Sequence, residues 1–466
     1  MYKELSNLIM YRELGQDSIL VNLGNIIKDM EGGQYDKDQI ISRIYGEIRR
    51  LLELGTNYGF DKNLWHDYIA YILITSENPF SLTAERVGRS QGSVNNIVLR
   101  DMEIFSHIFN YDFSHVEEEL GIDSFSTLTN YRSVHKRRQI YNKNASQKIR
   151  ALSDEIDNAL KDDPGDSAER MLDIVSDFYA KHGVGMFGLN SAFRIVEEDR
   201  SYNRDSRGSQ SLIGNVVMST TSASWNTYQG GEVQFFPINN IERVTLDKLV
   251  GYEIQKQKIR ENTESFLDGK AANNVLLFGD AGTGKSTSIK ALINEYEDRG
   301  LRMIEIYKHQ MGSLSSVISS VKSRNYRFII YMDDLSFEEN ETEYKYLKAV
   351  IEGGLENRPD NVLIYATSNR RNLIRETWND TKDVDLDKHR SDTLQEKLSL
   401  VSRFGVSIPF MRPNKKEYEE IVRVLAGRLG DLGISEEELL NEAGKWSVSH
   451  GGMSGRAAQQ LIDRLS

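Results

Sequence analysis

The 466-residue sequence contains no cysteine and only eight histidines. Without cysteine the chain can form no disulfide bond, no thiolate zinc site and no cysteine nucleophile. No two histidines stand four residues apart beside an acid, so the sequence predicts no zinc site. These absences exclude disulfide scaffolds and thiolate metal centres, and they fit a reducing compartment.

Long hydrophobic runs are also missing. The longest apolar run, 68–74, suits a buried helix and is far shorter than the ~18 residues that a membrane-spanning helix needs. The first five residues lack the apolar core of a secretion signal. With 39% hydrophobic and 27% charged residues, the composition is that of a soluble globular protein. The sequence therefore predicts a cytoplasmic protein without membrane insertion.

Positive charge is scarce overall, because the net charge is -12. This argues against wrapping of nucleic acid, since phosphate contacts need an electropositive face. One local exception is 132–150, which carries seven Lys and Arg residues and no acid. This segment could contact nucleic acid or the acidic surface of a partner protein. The alternative is a solvated helix face whose charge is balanced by the acids of 117–119. Similarly, 82–99 is either a helix-turn-helix or a plain connection between helices.

The length indicates two or three domains, because it exceeds what one hydrophobic core usually supports. Apolar stripes at helical spacing predict a mostly helical amino-terminal domain over 1–198, with a role in target or partner recognition. Residues 199–244 are rich in Ser, Thr, Asn and Gly and are predicted to form a polar linker or long loop. A nucleotide-binding domain over 245–410 and a helical subdomain over 411–466 complete the predicted organisation.

From about residue 245, apolar runs typical of strands alternate with helical patterns. This alternation predicts a parallel sheet with helices on both faces. The predicted strands are 275–278, 303–307, 327–332, 362–367 and 406–409. The predicted helices follow residue 285 and cover 314–321, 344–355 and 395–403.

The most specific motif is a glycine-rich loop that follows the first of these strands. The motif consists of Gly279, Asp280, Ala281, Gly282, Thr283, Gly284, Lys285 and Ser286, and Thr287 follows it as a further predicted binding residue. In a phosphate-binding loop of this spacing, backbone N–H groups surround a polyphosphate, Lys285 reaches the β and γ phosphates, and Ser286 holds Mg²⁺. The helix predicted after the loop points its positive end at the phosphates. The motif predicts a nucleoside triphosphate site; the alternative is a strand-to-helix turn without a ligand.

Polar side chains end the next two central strands. Asp333 and Asp334 follow 327–332, and Asn369 follows 362–367. Ligands of parallel sheets bind at the carboxyl ends of the strands. We therefore expect Asp333 to hold the Mg²⁺ shell and Asp334 to orient or deprotonate the attacking water. Asn369 is expected to contact the γ-phosphate or that water, although Asn is also common at strand ends.

Together with Ser-Arg-Phe-Gly at 402–405 and Ser-Gly-Arg at 454–456, these motifs resemble AAA+ ATPases. They are most similar to a bacterial family of AAA+ ATP-binding proteins whose biological role is uncharacterised. The general resemblance covers about 245–466, and the closer one extends upstream to 179–193. It implies an α/β fold, with a P-loop AAA+ parallel sheet, helices on both faces, a small carboxy-terminal helical lid and a mostly α-helical amino-terminal domain. It also implies ATP and Mg²⁺ as cofactors.

The resemblance assigns roles to further residues. Val250 and Gly251 match the segment that lines the adenine pocket. Arg403 matches the arginine finger that such proteins insert into a neighbour's site, and Arg456 matches a lid residue that reaches the γ-phosphate. Each arginine could instead form a surface ion pair. If Arg403 acts on a neighbour, the active form is a homo-oligomer with shared active sites.

One residue departs from the family pattern, because Asp334 stands where Glu is usual. Asp is shorter by roughly 1.5 Å, enough to affect the rate strongly, and Glu338 or Glu339 could help. We therefore predict an ATP- and Mg²⁺-dependent ATPase that couples ATP binding and hydrolysis to remodelling or loading of a macromolecular target, protein or nucleic acid. The alternatives are a nucleic-acid-associated loader or motor, and a nucleotide-dependent switch or scaffold with little hydrolysis. A small-molecule kinase is disfavoured because it needs neither Arg403 nor Arg456.

Overall fold

The computed structural model describes the chain except for residues 16, 90, 91, 93, 133–142, 163–165, 198–232, 240, 338–342, 353–358, 370–372, 374–400 and 431–432. The described residues divide into two compact units. The described part of the first unit is Met1–Ser191 together with residues 237–239. The second unit contains a strand at Ala192–Glu197, most of a strand at Val233–Pro237, and the described part of Ile241–Ser466.

Helices build the first unit, as the sequence predicted. They are α1 (Tyr2–Leu5), α2 (Ile19–Glu31), α3 (Lys37–Tyr58), α4 (Leu64–Thr75), α5 (Pro79–Val87), α6 (Val94–Phe109), α7 (Ser114–Leu120), α8 (Ser124–Thr129), α9 (Lys143–Asp162), α10 (Ser167–His182) and α11 (Gly185–Leu189). Helix α3 begins after Asp36, whose carboxylate accepts two backbone N–H groups, and it ends at Gly59 with a left-handed φ of 65°. Helix α4 is apolar on most sides and lies buried, as expected for 68–74.

The core of this unit is formed by the predicted apolar stripes. The buried members of α3 and α9 are Ile40, Ile44, Leu51, Ile149, Leu152, Ile156 and Leu160. In the described part of the chain, no helix combines the length and the apolar character needed to cross a membrane.

A single seven-stranded sheet organises the described part of the second unit. Its strands are β1 (Ala192–Glu197), β2 (Val233–Pro237), β3 (Val275–Gly279), β4 (Leu301–Glu305), β5 (Arg327–Met332), β6 (Val362–Ser368) and β7 (Val406–Phe410). The order is β2-β1-β4-β5-β6-β3-β7, and every pair from β1 to β7 is parallel. All five predicted strands are present, but the one predicted over 303–307 lies two residues earlier, at Leu301–Glu305. The α/β fold with a parallel sheet is therefore confirmed as well.

Two strands of the sheet were not predicted. Strand β1 lies at the end of the stretch predicted as helical, and β2 lies inside the predicted linker. In β1, Phe193 and Ile195 are buried while Arg194 and Val196 are exposed. This alternation spans only residues 193–196, which is too short to stand out against the helical pattern before it. The chain first passes from one unit to the other after Ser191, and the last segment of the second unit begins at Ile241. The predicted domain boundaries at 198 and 244 stay predictions.

Helices flank the sheet and follow it. They are α12 (Glu253–Leu267), α13 (Lys285–Tyr296), α14 (Leu314–Val321), α15 (Tyr344–Glu352), α16 (Lys415–Leu429), α17 (Glu436–Ser449) and α18 (Gly455–Leu465). Most of the helix predicted over 395–403 lies outside the described residues. The lid helices α16 and α17 begin with capping boxes, Asn414 with Glu417 and Ser435 with Glu438. These helices pack with α18 around a small apolar core, which includes Tyr418, Val422, Ala443, Leu461 and Ile462.

Candidate nucleotide-binding site

The predicted site residues of the loop and of the next two central strands meet at one edge of the sheet. Phe278 of β3 pairs with Ser368 of β6, and Met332 of β5 pairs with Ala366 of β6. The carboxyl ends of three neighbouring strands therefore lie side by side. This register places the glycine-rich loop, the two acids and Asn369 next to each other.

The loop has the backbone that its glycines permit. Gly282 has a left-handed φ of 78°, which non-glycine residues rarely adopt. At Gly279 the limit is space, because a Cβ there would lie 2.2 Å from the carbonyl oxygen of Phe410. Helix α13 begins at Lys285, directly after the loop, so its free N–H groups face the loop.

Lys285 is held by three oxygen atoms at the centre of the site. Its Nζ donates to the carbonyl oxygens of Gly279 (2.9 Å) and Asp280 (2.6 Å) and to Oδ1 of Asn369 (3.0 Å). Burial lowers the pKa of Lys285, and the nearby carboxylates of Asp334 and Asp280 oppose that shift. A phosphate oxygen that approaches this ammonium group must replace at least one of the three acceptors, since an ammonium has three donors.

Asp333 accepts two short hydrogen bonds at one oxygen. Its Oδ1 accepts hydrogen bonds from the hydroxyls of Ser286 and Thr367, each with an oxygen–oxygen distance of 2.6 Å. Burial alone would raise the pKa of Asp333, but the hydrogen bonds from Ser286 and Thr367, together with the nearby charge of Lys290, outweigh it and lower the pKa. Burial beside this carboxylate raises the pKa of Tyr331, so its hydroxyl stays protonated. The lowered pKa keeps Asp333 ionised at neutral pH, with the Ser286 hydroxyl of the loop as one of its hydrogen-bond donors.

Asp334 has an unusual backbone and a side chain bound to Asn369. Its φ is 47°, in the left-handed region that few non-glycine residues occupy, although Asp is enriched there. Its N–H donates to Oγ1 of Thr367 over 2.8 Å, and its Oδ1 accepts from Nδ2 of Asn369 over 2.7 Å. Residues held in such conformations concentrate at functional sites.

The donors at this edge fit a magnesium ion that is shared with a nucleotide. Among the described residues, no group of three or more His, Asp or Glu side chains lies close enough to hold a metal ion. The Ser286 hydroxyl and the Asp333 carboxylate, which lie within hydrogen-bond distance of each other, would supply two oxygen ligands. Mg²⁺ is typically bound by one or two such groups together with substrate phosphates and water, rather than by an all-protein cage.

A family described as "Protein of unknown function (DUF815)" matches residues 218–466, more than half of the chain. The chain belongs to this family. The predicted resemblance to a family of uncharacterised role agrees with this match, and the AAA+ part of that resemblance stays a prediction. No curated protein matches the chain.

Solved structures similar to the DUF815 chain include RuvB from Thermotoga maritima. One is described as a Holliday junction branch migration motor and is 18% identical, with a TM-score of 0.34. A single-residue variant of the same protein is 19% identical, also with a TM-score of 0.34. Each match covers 48% of the present chain and 64% of RuvB, so the chain spans less than two thirds of that relative. A likeness at this level carries no argument about activity.

The predicted adenine segment of the DUF815 chain lies between the loop and the lid. Val250 packs against the apolar core of the lid, and a Cβ on Gly284 of the loop would lie 3.6 Å from Leu249. Gly251 has a φ of 77°. The Tyr252 ring that follows is stacked on Phe410, with centroids 5.1 Å apart. The position suits a segment that covers a base, and that role of Val250 and Gly251 stays a prediction.

Arg456 lies beside the loop, as predicted. It belongs to the first turn of α18, and its N–H donates to the carbonyl oxygen of Gly282 over 3.2 Å. Its side chain is exposed, and its charge contributes to the lowered pKa of Lys285 after the larger effect of burial. The structure therefore brings the start of the lid helix and the phosphate loop together.

Arg403 is not brought to the site of its own chain. It precedes β7, whose first residue, Val406, pairs with the first residue of β3, Val275. The loop follows the other end of β3, and a five-residue strand spans about 16 Å. Arg403 thus lies toward the end of β3 that is remote from Lys285, and its action on another chain's site stays a prediction.

Two residues at the site were missed by the sequence prediction. Thr367 contacts both acids, and its signal was its place two residues before Asn369, on the same face of a strand. Arg412 donates its N–H to Oδ2 of Asp280 over 3.0 Å, and its Nε lies 3.4 Å from Oδ1. Its signal was its place directly after the last strand, but only the pairing of β3 with β7 shows that it faces the loop.

The other predicted residues of the loop differ in their exposure. Thr283 is buried and donates to the carbonyl oxygen of Asp280, Ala281 is exposed, and Thr287 lies in α13. Glu338, Glu339 and most of 132–150 lie outside the described residues. In the described part of 132–150, Lys148 donates to the carbonyl oxygen of Gly188 and Arg150 to that of Ser146.

Proposed function

We propose that this protein binds ATP with Mg²⁺ and hydrolyses it, and that it couples the nucleotide state to remodelling or loading of a macromolecular target. The observation that carries the proposal is the connected set of side chains at the sheet edge. Lys285 contacts Asn369, Asn369 contacts Asp334, and Ser286 contacts Asp333. A phosphate-binding cation, a metal-holding pair and a water-orienting acid are thereby joined in one site.

Each group has a role that its chemistry supports. Lys285 and the loop N–H groups bind the β and γ phosphates, while Ser286 and Asp333 hold the metal ion. Bound Mg²⁺ neutralises charge that develops on the phosphates. Asp334 and Asn369 orient the attacking water, and catalysis consists mostly of positioning and charge stabilisation.

Phosphate release tests the hydrolysis proposal. An Asp333→Asn variant keeps the size of the side chain and removes the anionic metal ligand, so we expect its Mg²⁺-dependent phosphate release to be lost. Asp360→Asn is the matched control, because Asp360 precedes the first residue of β6 and the site lies at the other end of that strand. Equal release by Asp333→Asn, Asp360→Asn and the unaltered protein would contradict the assignment.

We further propose that the active form is a homo-oligomer with shared active sites. The position of Arg403 supports this, because it lies toward the end of β3 that is remote from the phosphate loop of its own chain. An arginine finger supplied in this way is worth ~10³–10⁵ in rate. Arg403→Ala should abolish turnover and spare ATP binding.

Mixed variants test the sharing of sites directly. Arg403→Ala and Asp334→Asn are each expected to be inactive alone, yet a mixture contains interfaces with one intact acid and one intact finger. We expect the mixture to recover part of the turnover. Full turnover by an Arg403→Ala protein, or by a protein that remains monomeric with ATP, would contradict shared sites.

A second candidate function is a nucleotide-dependent switch with little hydrolysis. It is favoured by the short acid Asp334, whose Oδ1 is already bound by Asn369. Tight ATP binding without phosphate release, with or without candidate targets, would support the switch. A nucleic-acid loader or motor is a narrower form of the first proposal. It requires nucleic-acid binding that weakens steeply with salt and that depends on Arg137 and Arg138.

A further inference from the structure

The side chain of Thr367 contacts both acids of the site. Its Oγ1 donates a hydrogen bond to Oδ1 of Asp333 at a distance of 2.6 Å, and it accepts one from the N–H of Asp334 at 2.8 Å. A hydroxyl has one donor and two acceptor lone pairs, so one group can make both bonds at once. The two acids are therefore held relative to each other through a single oxygen atom.

Thr367 itself is fixed in place. It is 1% exposed, and its Cα pairs with that of Leu277 in β3, next to the loop. Its carbonyl oxygen accepts the N–H of Leu335 over 2.7 Å, directly after the two acids. Its branched side chain has few rotamers. The hydroxyl is thus carried by a rigid central strand.

The contribution of Thr367 differs from that of Ser286. Both hydroxyls donate to the same oxygen of Asp333, but only Ser286 belongs to the loop that is expected to ligate the metal ion. When the Ser286 oxygen turns to a metal ion, the bond from Thr367 can persist. The same hydroxyl anchors the backbone of Asp334 in its left-handed conformation, in which φ is 47°.

We propose that Thr367 is a positioning residue that sets the metal-holding carboxylate of Asp333 and the water-orienting Asp334 in one geometry. The proposal rests on the proposed ATPase function. It predicts a defect both in the Mg²⁺ requirement and in turnover when the hydroxyl is removed. Binding of nucleotide without metal does not involve this hydroxyl.

Two substitutions separate the hydroxyl from the volume of the side chain. Thr367→Val keeps the shape and removes both hydrogen bonds, whereas Thr367→Ser keeps the hydroxyl. A fluorescent ATP analogue is titrated at a series of Mg²⁺ concentrations, and kcat and KM are measured in parallel. For Thr367→Val we expect about tenfold more Mg²⁺ at half-maximal binding, as for loss of a hydrogen bond to a charged group. Its kcat should fall by about tenfold or more, with unchanged binding in EDTA.

Thr367→Ser should restore the Mg²⁺ requirement and the kcat of the unaltered protein. Thr263→Val is the matched control, because Thr263 is also buried and its hydroxyl bonds the Ile259 carbonyl oxygen and the Tyr365 hydroxyl, neither of which belongs to the two acids.

The outcomes distinguish the two proposals. A Mg²⁺ requirement and kcat of Thr367→Val that match those of Thr263→Val, while the unaltered protein binds ATP with Mg²⁺, would overturn the role of Thr367 alone. Absence of ATP binding by the unaltered protein would overturn both proposals. Thermal melting of each variant shows whether a defect reflects unfolding, and in that case Thr367→Ser decides, since it should differ from Thr367→Val in the Mg²⁺ requirement.

Discussion

The side chain of Asn369 donates a hydrogen bond to Asp334, with Nδ2 and Oδ1 2.7 Å apart. Its other end, Oδ1, accepts from Lys285 over 3.0 Å. Asn369 therefore connects the phosphate-binding cation to the water-orienting acid. A γ-phosphate that binds Lys285 competes with Asn369 for the ammonium group, so arrival of the nucleotide can be transmitted to Asp334.

Removal of this amide should affect turnover more than binding. Asn369→Ala is expected to lower kcat by about 10²-fold, the typical effect of losing one oriented donor at a reacting group. ATP affinity should change little, since Lys285 keeps its other two acceptors. Steady-state kinetics together with equilibrium binding checks this, and loss of affinity with unchanged kcat would contradict it.

The contact between Asp280 and Arg412 should restrain the affinity for ATP. The carboxylate of Asp280 stands in the phosphate loop, where its charge opposes a polyphosphate, and it also occupies Arg412. Asp280→Asn removes the charge and is expected to tighten ATP binding by about two- to fivefold at low salt, the scale of a partly exposed ion pair. The gain should shrink at high salt. Calorimetric titration at two salt concentrations measures it.

Arg412→Ala is the control for that prediction. If the ion pair only holds the loop in place, both substitutions should weaken ATP binding. Our account instead expects opposite effects, because Arg412 adds positive charge beside the loop and Asp280 subtracts it.

Binding of ATP should decline at alkaline pH. The pKa of Lys285 is lowered from its usual value of 10.5, mainly by burial. Its charge is therefore present at neutral pH and is lost as the pH rises through a value below 10.5. A Lys285→Arg variant that binds ATP should show no such decline, since Arg stays protonated throughout. Equal pH profiles for the two proteins between pH 7 and 10 would contradict this role of Lys285.

The first unit contains two neighbouring groups with opposite pH effects on stability. Burial raises the pKa of Asp67 to about 6 and lowers that of His66 to about 4. The cost of the buried Asp67 charge therefore develops as the pH rises from about 4 to 6, by about 3 kcal/mol. The cost of charging His66 develops as the pH falls from about 6.5 to 4, by a similar amount.

Asp67→Asn should separate these effects. The variant loses the cost of the Asp67 charge, so near pH 7 its first unit should be more stable than the unaltered unit, by up to about 3 kcal/mol. Between pH 4 and 6.5 the stability of the variant should rise more steeply with pH, because the rise due to His66 is no longer offset by the opposite effect of Asp67. Hydrogen exchange of the amides in α4, corrected for intrinsic rates, measures this. Parallel profiles for both proteins would contradict it.

The sequence predicted those parts of the fold and site that depend on local pattern. The loop at Gly279, the acids after β5 and the helical stripes of the first unit all have short, periodic signatures. Strand β1 was missed because its six residues become a strand only by pairing with β4, far along the chain. Thr367 and Arg412 were missed for a related reason: their partners are set by strand register, which local spacing does not encode.

The central claim, that this site binds ATP through Lys285 with Mg²⁺ at Ser286 and Asp333, is tested most directly by calorimetric titration of the full chain with ATP. The titration compares the unaltered protein, Lys285→Ala and Lys270→Ala, an exposed lysine paired with Asp268 on the surface, with and without Mg²⁺. We predict that the unaltered protein and Lys270→Ala bind ATP alike and more tightly with Mg²⁺, and that Lys285→Ala loses binding. ATP binding by Lys285→Ala with the affinity of the unaltered protein would contradict the account.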